Sequence, residues 1–337
     1  MISSVTIKNF GPITSLQWDA LGAINLLIGV NATGKTFLLK ALYTLIRASE
    51  EFGKGNDPRS FEEVLADKLY WTFQIEKFSE LICKKGNRRL KMEMVADHGT
   101  CEYSFGEKTT NTITDCNNHF QKRDDNSVFL PAKEVLSLFK VIRMSREQMK
   151  VFGFDDTYYD LVKAFEIPPQ KGRNFKSFSE ARHALEALVN GRLTFDSTTS
   201  RWSFQQERSV YSINIVSEGV KKIAILDNLL GNRYLTPGSV LFIDEPEAAL
   251  HPEALSKFLD IMTILVKEGM QVFMATHSYF TIKKMLIIAQ REQMNVPVLS
   301  FADDDISIMN MAHGMPDNSI IRESVRLYKE EVELSFE

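Results

Sequence analysis

The sequence predicts an α/β fold with a mainly parallel central sheet, on three observations. Gly29-Val30-Asn31-Ala32-Thr33-Gly34-Lys35-Thr36 fits the phosphate-loop pattern Gly-x4-Gly-Lys-Ser/Thr at every fixed position. It lies between an apolar run, Ala23-Ile24-Asn25-Leu26-Leu27-Ile28, that reads as a buried strand, and Phe37 to Ile46, a helix with Leu38, Leu42, Leu45 and Ile46 on one stripe. Further on, Val240-Leu241-Phe242-Ile243 reads as a central strand that delivers two carboxylates, Asp244 and Glu245, at its C-terminal end. That end is where open α/β sheets place their ligands. From residue 220 onward helices and strands alternate: helices at 220–230, 253–266 and 279–291, strands at 240–243, 272–275, 296–301 and 306–309.

The chain has 337 residues. A single core stops growing at roughly 250–300 residues, so one main domain with a sizeable subdomain is expected over 1–337. Residues 1–50 and 217–337 form its core, 51–127 a helix plus β-hairpin region, and 128–216 a helical insert with a second hairpin. Hydrophobic residues at 44% and charged residues at 25% are those of an ordinary globular protein. A net charge of −4 gives no global attraction to nucleic acid or anionic membrane, so such contact needs a local patch. Cys83, Cys101 and Cys116 lack metal-ligand spacing and read as structural thiols in a reducing cytosol. The absence of a long apolar run or a signal pattern points to a cytoplasmic protein with no membrane partner.

In chain order, Val5 to Ile13 starts as an alternating strand that breaks at Gly11-Pro12, and a second strand around Ser15 to Trp18 makes an edge hairpin with it. Residues 50–82 read as helical, with a capping box at Ser60-x-x-Glu63. Leu90 to Met94 and Cys101 to Phe105 alternate in polarity across Asp97-His98-Gly99, a β-hairpin signal. The preceding stretch, Lys84 to Lys91, is the most basic in the chain; it reads as a solvated turn or as a phosphate-backbone contact for DNA or RNA. Residues 106–126 are polar and read as a loop. Val128-Phe129-Leu130 is a short strand ending at Pro131. Glu134 to Phe152 is amphipathic through Leu136, Phe139, Ile142 and Met149, and Ser177-x-x-Glu180 reads as the cap of a later helix stopped by Gly191. Arg201 to Phe204 and Val210 to Val216 make a strand pair.

The chemistry follows from the loop. Backbone N–H groups and a helix N-terminus around Asn31, Ala32, Thr33, Gly34 and Phe37 suit a polyphosphate. Lys35 would reach the β- and γ-phosphates, and the Thr36 hydroxyl would bind Mg²⁺. Asp244 would hold Mg²⁺ through water, and Glu245 would orient or deprotonate the attacking water. Ser217-Glu218-Gly219 opens a helix and makes a second anion site. One chain does not need two such sites for one triphosphate, so this one reads as a contact made in trans, from a second copy. His277, at the end of the next strand, is placed to contact a γ-phosphate.

Taken together, the phosphate loop, Ser217-x-Gly219, Asp244-Glu245-Pro246-Glu247 followed by Ala249-Leu250-His251-Pro252, and Thr276-His277-Ser278 resemble the ordered motif set of an ABC-type ATPase head. Ile7-Lys8-Asn9-Phe10-Gly11-Pro12 resembles the opening of RecF, SMC and OLD (overcoming-lysogenization-defect) ATPases, as does Ser-Glu-Gly in place of Leu-Ser-Gly-Gly-Gln. Phe129 to Glu134 looks like small bacterial defence ATPases of the OLD, Septu and retron-associated kind. The resemblance implies a P-loop ATPase head with an antiparallel β subdomain, using ATP and Mg²⁺. It implies that Lys8 and Asn9 lie near adenine and phosphates, and that Ser217 and Gly219 bind the partner copy's γ-phosphate. Ala249, Leu250 and His251 would form the D-loop at a dimer seam, and His277 would be the switch histidine. The implied partners are a second copy or higher homo-oligomer and a separately encoded effector, a nuclease or toxin, in anti-phage defence. A RecF-like clamp on DNA and a nucleotide-gated scaffold that restrains a toxin are the other readings. The sequence departs from the family in lacking an assignable Q-loop glutamine. The chain after Asp303-Asp304-Asp305 is too short for the Toprim domain of OLD nucleases, so those aspartates read as a solvated turn.

Overall fold

Ile24–Gly29 (β3), Val240–Asp244 (β11) and Gln271–Thr276 (β12) are buried at every residue, the burial of strands covered on both faces. The computed structural model describes the whole chain apart from residues 85–88, 97–98, 171, 173, 197–198, 200, 303–305 and 337. In chain order its elements are β1 (Ile2–Phe10), β2 (Ile13–Trp18), β3, α1 (Lys35–Glu51), α2 (Phe61–Phe73), β4 (Arg89–Ala96), β5 (Gly99–Gly106), β6 (Asp115–Asn118), β7 (Val128–Leu130), α3 (Phe139–Arg143), α4 (Asp156–Glu166) and α5 (Lys176–Val189). There follow β8 (Arg192–Asp196), β9 (Arg201–Gln206), β10 (Ser209–Ser212), α6 (Glu218–Gly231), β11, α7 (Pro252–Lys267), β12, α8 (Tyr279–Arg291), β13 (Pro297–Phe301), β14 (Ile306–Asn310) and α9 (Ser319–Leu334).

The central sheet runs β14-β13-β3-β12-β11-β7 and is parallel except at β14. This is the α/β architecture the alternation predicts. Successive side chains of a strand point to opposite faces, and the two faces serve two cores. Leu26, Ile28, Leu241 and Ile243 pack with α4 to α8, whereas Leu27, Phe242 and Phe273 pack with α1, α2 and a second sheet. That second sheet is antiparallel, in the order β2-β1-β4-β5-β6. The phosphate-loop helix α1 is thus covered by both sheets. A small third sheet, β10-β9-β8, borders the insert.

Several expectations change. The opening hairpin does stand at the edge of a sheet, with β2 outermost, but that sheet is larger than the hairpin: β1 lies between β2 and β4. Strands at 2–18, placed with the core from sequence, therefore share a sheet with β4 to β6. The polar stretch 106–126 contains β6, which pairs with β5; its alternation is too short and too polar to stand out. The helical expectation for 50–82 breaks at residues 52–60, although the Ser60–Glu63 capping box is present. Glu134 to Phe152 is not one amphipathic helix but short helical turns, and Met149 is exposed. Phe175, not Ser177, is the N-cap of α5; the Ser177 hydroxyl donates to Glu268 instead. Residues 213–215 form a 3₁₀ turn rather than strand, and β8 and α9 are additional elements. Asp97-His98 and Asp303-Asp304-Asp305 lie outside the described residues. Among the described residues no helix is long and apolar enough to cross a membrane.

Candidate active site

β3 ends at Gly29 and α1 begins at Lys35, so the loop between them faces the C-terminal edge of the parallel strands. Two of its residues hold left-handed backbone, Ala32 at φ 63° and Gly34 at φ 98°. Gly34 is the residue before α1, and a Cβ there would stand 2.9 Å from the Pro12 ring. Glycine thus meets both the torsion and the space at that point. The loop, Pro12, Phe37, Asp244 and Glu245 enclose a cavity of about 410 Å³.

Lys35 is buried and donates to the carbonyls of Gly29 (2.8 Å) and Val30 (2.6 Å). An ammonium has three N–H donors, so one is left over at the cavity wall. Burial lowers the Lys35 pKa against the opposing pull of Asp244, Glu245 and Glu247. The Thr36 hydroxyl lies 3.0 Å from both carboxylate oxygens of Asp244, 208 positions along the chain. Burial raises the Asp244 pKa, Thr36 lowers it, and the Glu245 charge adds to the rise. A hydroxyl beside a carboxylate at the mouth of a phosphate loop is an oxygen donor set suited to Mg²⁺, which keeps several waters and takes phosphate oxygens. With the glycine cradle and the free lysine donor, the residues present fit a magnesium nucleotide.

Glu245 follows β11 with φ 48°, left-handed backbone that non-glycine residues rarely hold. Both of its main-chain groups are tied: its N–H donates to the Ala275 carbonyl at 2.9 Å, and its carbonyl accepts from Lys222 Nζ at 2.6 Å. Its Oε1 lies 3.1 Å from His277 Nδ1. Strained backbone that its surroundings over-determine is a mark of functional sites. Glu247 holds the His277 main chain: its Oε1 accepts from the His277 backbone N–H at 3.2 Å and from the Thr276 hydroxyl at 2.7 Å, and lies 3.7 Å from His277 Nδ1. Oε2 accepts from Thr281 at 3.2 Å.

Ser217 and Glu218 are exposed at the start of α6, and the Ser217 hydroxyl makes no capping bond. Gly219 is buried beneath the loop after β11; a Cβ there would lie 2.3 Å from the Ala249 carbonyl. Residues 217–219 do not line the phosphate-loop cavity of their own chain. Ala249 is exposed with φ 62°, Leu250 packs on the core, and His251 is exposed and caps α7 by accepting from the Glu253 N–H. Lys8 and Asn9 also stand outside the cavity, where Pro12 lies instead. The Asn9 side chain donates to the Arg89 carbonyl at 3.0 Å.

Sequence reasoning gave no role to Glu247 or Lys222. Glu247 was legible as the second acid of Asp-Glu-Pro-Glu. Lys222 carries only one signal: with Lys221 it is a charged pair in the apolar stretch Val220 to Leu226, and both are buried. Burial lowers the Lys222 pKa to about 8 despite Glu247, Asp244 and Glu245 nearby. Lys221 donates to Ser137 at 2.7 Å, tying α6 to the stretch after Pro131.

A family model described as "AAA domain, putative AbiEii toxin, Type IV TA system" matches residues 102–283. No curated protein matches the sequence. Among solved structures, an SMC head bound to the C-terminal winged-helix domain of ScpA is similar with a TM-score of 0.55 and 13% identity, over 92% of this chain and 97% of that one. An SMC head with an extended coiled coil, bound to the C-terminal domain of ScpA, from Pyrococcus furiosus, gives 0.52 and 11% identity over 98% of each chain. These likenesses show the fold, the α/β architecture of SMC heads.

Proposed function

The chain belongs to the AAA-domain family of that description, and on this premise we propose that it is an ATPase whose two copies close around ATP and open after hydrolysis. The observation that carries the proposal is the meeting of Thr36 with Asp244 beside a glutamate held in strained backbone against His277. In this reading Lys35 and the loop amides from Asn31 to Phe37 bind the phosphates, and Thr36 and Asp244 hold Mg²⁺. The bound nucleotide supplies the phosphoanhydride and the metal its charge neutralisation. Glu245 orients and deprotonates the attacking water, and His277, its main chain held by Glu247, fixes the Glu245 carboxylate. Ser217 and the first amides of α6 are exposed and away from their own phosphate loop, which supports their contacting the γ-phosphate on a second copy. Ala249, Leu250 and His251, next to Gly219, then lie at the seam. Lys8 and Asn9 approach the nucleotide from β1.

The effector side is inferred from chemistry and likeness together. The family description names a toxin of a type IV toxin–antitoxin system, and the two SMC heads carry a bound ScpA domain. Both support a head that regulates a separately encoded protein, and a cytoplasmic anti-phage role, with a nuclease or toxin as effector, is the reading we favour. A DNA clamp is less well supported. In the described part of the basic stretch Arg89 is paired with Asp115, and Lys91 with Glu102. Paired cations neutralise few phosphates.

The Glu245→Gln variant tests the proposal. Its turnover should fall by about 10²–10⁴, the usual worth of a general base, while ATP binding persists and a dimer accumulates with ATP. A variant that hydrolyses ATP at the wild-type rate, or that stays monomeric with ATP at every concentration, overturns it.

A further inference from the structure

Glu245 is held in a backbone conformation that its own sequence opposes. Its φ is 48°, and the residue after it is Pro246. A proline ring clashes with the residue before it and drives that residue toward extended backbone. Left-handed torsions at a non-glycine residue persist only where the surroundings fix them.

Three hydrogen bonds fix this one. The Glu245 N–H donates to the Ala275 carbonyl at 2.9 Å, and the Glu245 carbonyl accepts from the Ala248 N–H at 3.0 Å and from Lys222 Nζ at 2.6 Å. The first continues the pairing of β11 with β12 and the second closes a turn; both join main chain to main chain. The third is the shortest, the only charged one, and the only one that a side chain supplies. It comes from a separate element, α6.

Among the described residues Lys222 makes no second hydrogen bond and no ion pair. It is buried, and burial lowers its pKa even with Glu247, Asp244 and Glu245 nearby. The fold therefore carries this ammonium at some loss of stability. A methionine is of similar length and has no charge to desolvate. A charged residue kept where an apolar one would pack is expected where function needs the group.

We propose that Lys222 is a positioning residue for hydrolysis: by holding the Glu245 carbonyl it keeps the Glu245 carboxylate at the phosphate-loop cavity, against His277. The inference rests on Glu245 being the general base. Lys222 does not line the cavity, so it acts through the main chain of Glu245 and not on the nucleotide. Without the lysine, the Glu245 torsion turns toward the extended region that Pro246 favours and carries the carboxylate with it. A displacement of about 1 Å at a reacting group costs on the order of a hundredfold in rate. The phosphate loop keeps its own contacts, Lys35 to the Gly29 and Val30 carbonyls and Thr36 to Asp244.

Turnover and ATP affinity, measured separately on variants of the full chain, test this. Lys222→Met should lower kcat by roughly tenfold to a hundredfold, with ATP affinity and helix content by circular dichroism unchanged. On a Glu245→Gln background the same substitution should change the residual rate little, because the carboxylate it positions is already lost; a residue acting through folding or binding acts on both backgrounds alike. Lys222→Gln, which keeps a neutral N–H donor, should fall between wild type and Lys222→Met, and its comparison on the two backgrounds carries the test if Lys222→Met does not fold. The inference is overturned by Lys222→Met at the wild-type rate beside a slow Glu245→Gln, by an equal fall on both backgrounds, or by Lys222→Gln slower than Lys222→Met. Glu245→Gln at the wild-type rate overturns instead the general-base reading on which the inference rests.

Discussion

The two ends of α1 carry two polar clusters of opposite character. At its start, Lys35 and Thr36 face a cavity together with Asp244 and Glu245. Toward its end, Tyr43, Arg47, Glu50 and Glu51 enter a network sealed from solvent. Asp160 on α4 accepts from Tyr43 at 2.9 Å and lies 2.8 Å from Lys68 on α2, and Lys68 also pairs with Glu51 and Asp156. Arg47 pairs with Glu50 and Glu51, and Glu50 accepts from the Ser127 amide and hydroxyl. Between the ends, Lys40 bridges to Asp155 at 2.6 Å. The sealed cluster joins α1, α2, α4 and the approach to β7, and its charges answer one another. The cluster at the cavity has its polar groups turned to an open space instead. Burial alone therefore does not mark a site; the mark is polar groups gathered at the wall of a cavity.

The largest effect expected from breaking this contrast is at Asp160. Burial pushes its carboxyl up, but Lys68 and Arg47 hold it well below the ordinary range. Asp160→Asn takes one carboxylate from each of two buried cations, Lys68 and Arg47, and should cost about 3 kcal/mol of unfolding free energy in denaturant titration. The sign with pH follows: a carboxyl depressed in the fold contributes stability above the ordinary carboxylate range and loses it as pH falls. The variant should thus show a weaker loss of stability under acid than the wild type. Lys35→Met is the counter-test. It should weaken ATP binding by roughly a hundredfold, the worth of one or two charge-assisted hydrogen bonds, while denaturant midpoints stay level or rise, because a desolvated ammonium is removed. Destabilisation on the scale of Asp160→Asn would break the comparison.

A smaller effect sharpens it at Lys222, which belongs to the open cluster yet is itself buried. Its pKa near 8 lies below the ordinary 10.5, so between those values the unfolded chain binds a proton that the folded chain does not. Wild-type stability should therefore rise with pH relative to Lys222→Met, by about 1 kcal/mol from pH 8 to 9. A pH-independent difference between the two would remove the charge-burial argument.

How much of this was legible is clearest residue by residue. The phosphate loop, the strand ending in Asp244-Glu245 and the helix–strand alternation stand in the sequence because each depends on local chemistry: a glycine at a left-handed torsion, an apolar run covered on both faces, carboxylates where a strand stops. The insert was less legible. Phe139, Ile142, Leu161 and Phe178 join one core from separate short helices, and their spacing does not give the order of packing. The sealed network was invisible, because Arg47, Lys68 and Asp160 read as ordinary surface charges until three helices bring them together.

Sequence alone determined the fold class, the loop and the acidic strand end, since these rest on contacts within a few residues. Tertiary structure decided that β1 lies between β2 and β4, that Lys222 grips the Glu245 carbonyl, and that Glu247 holds the His277 main chain. Each of these joins residues from separate elements, and pairing across such distances is set by how the two sheets close over α1, which no local pattern encodes.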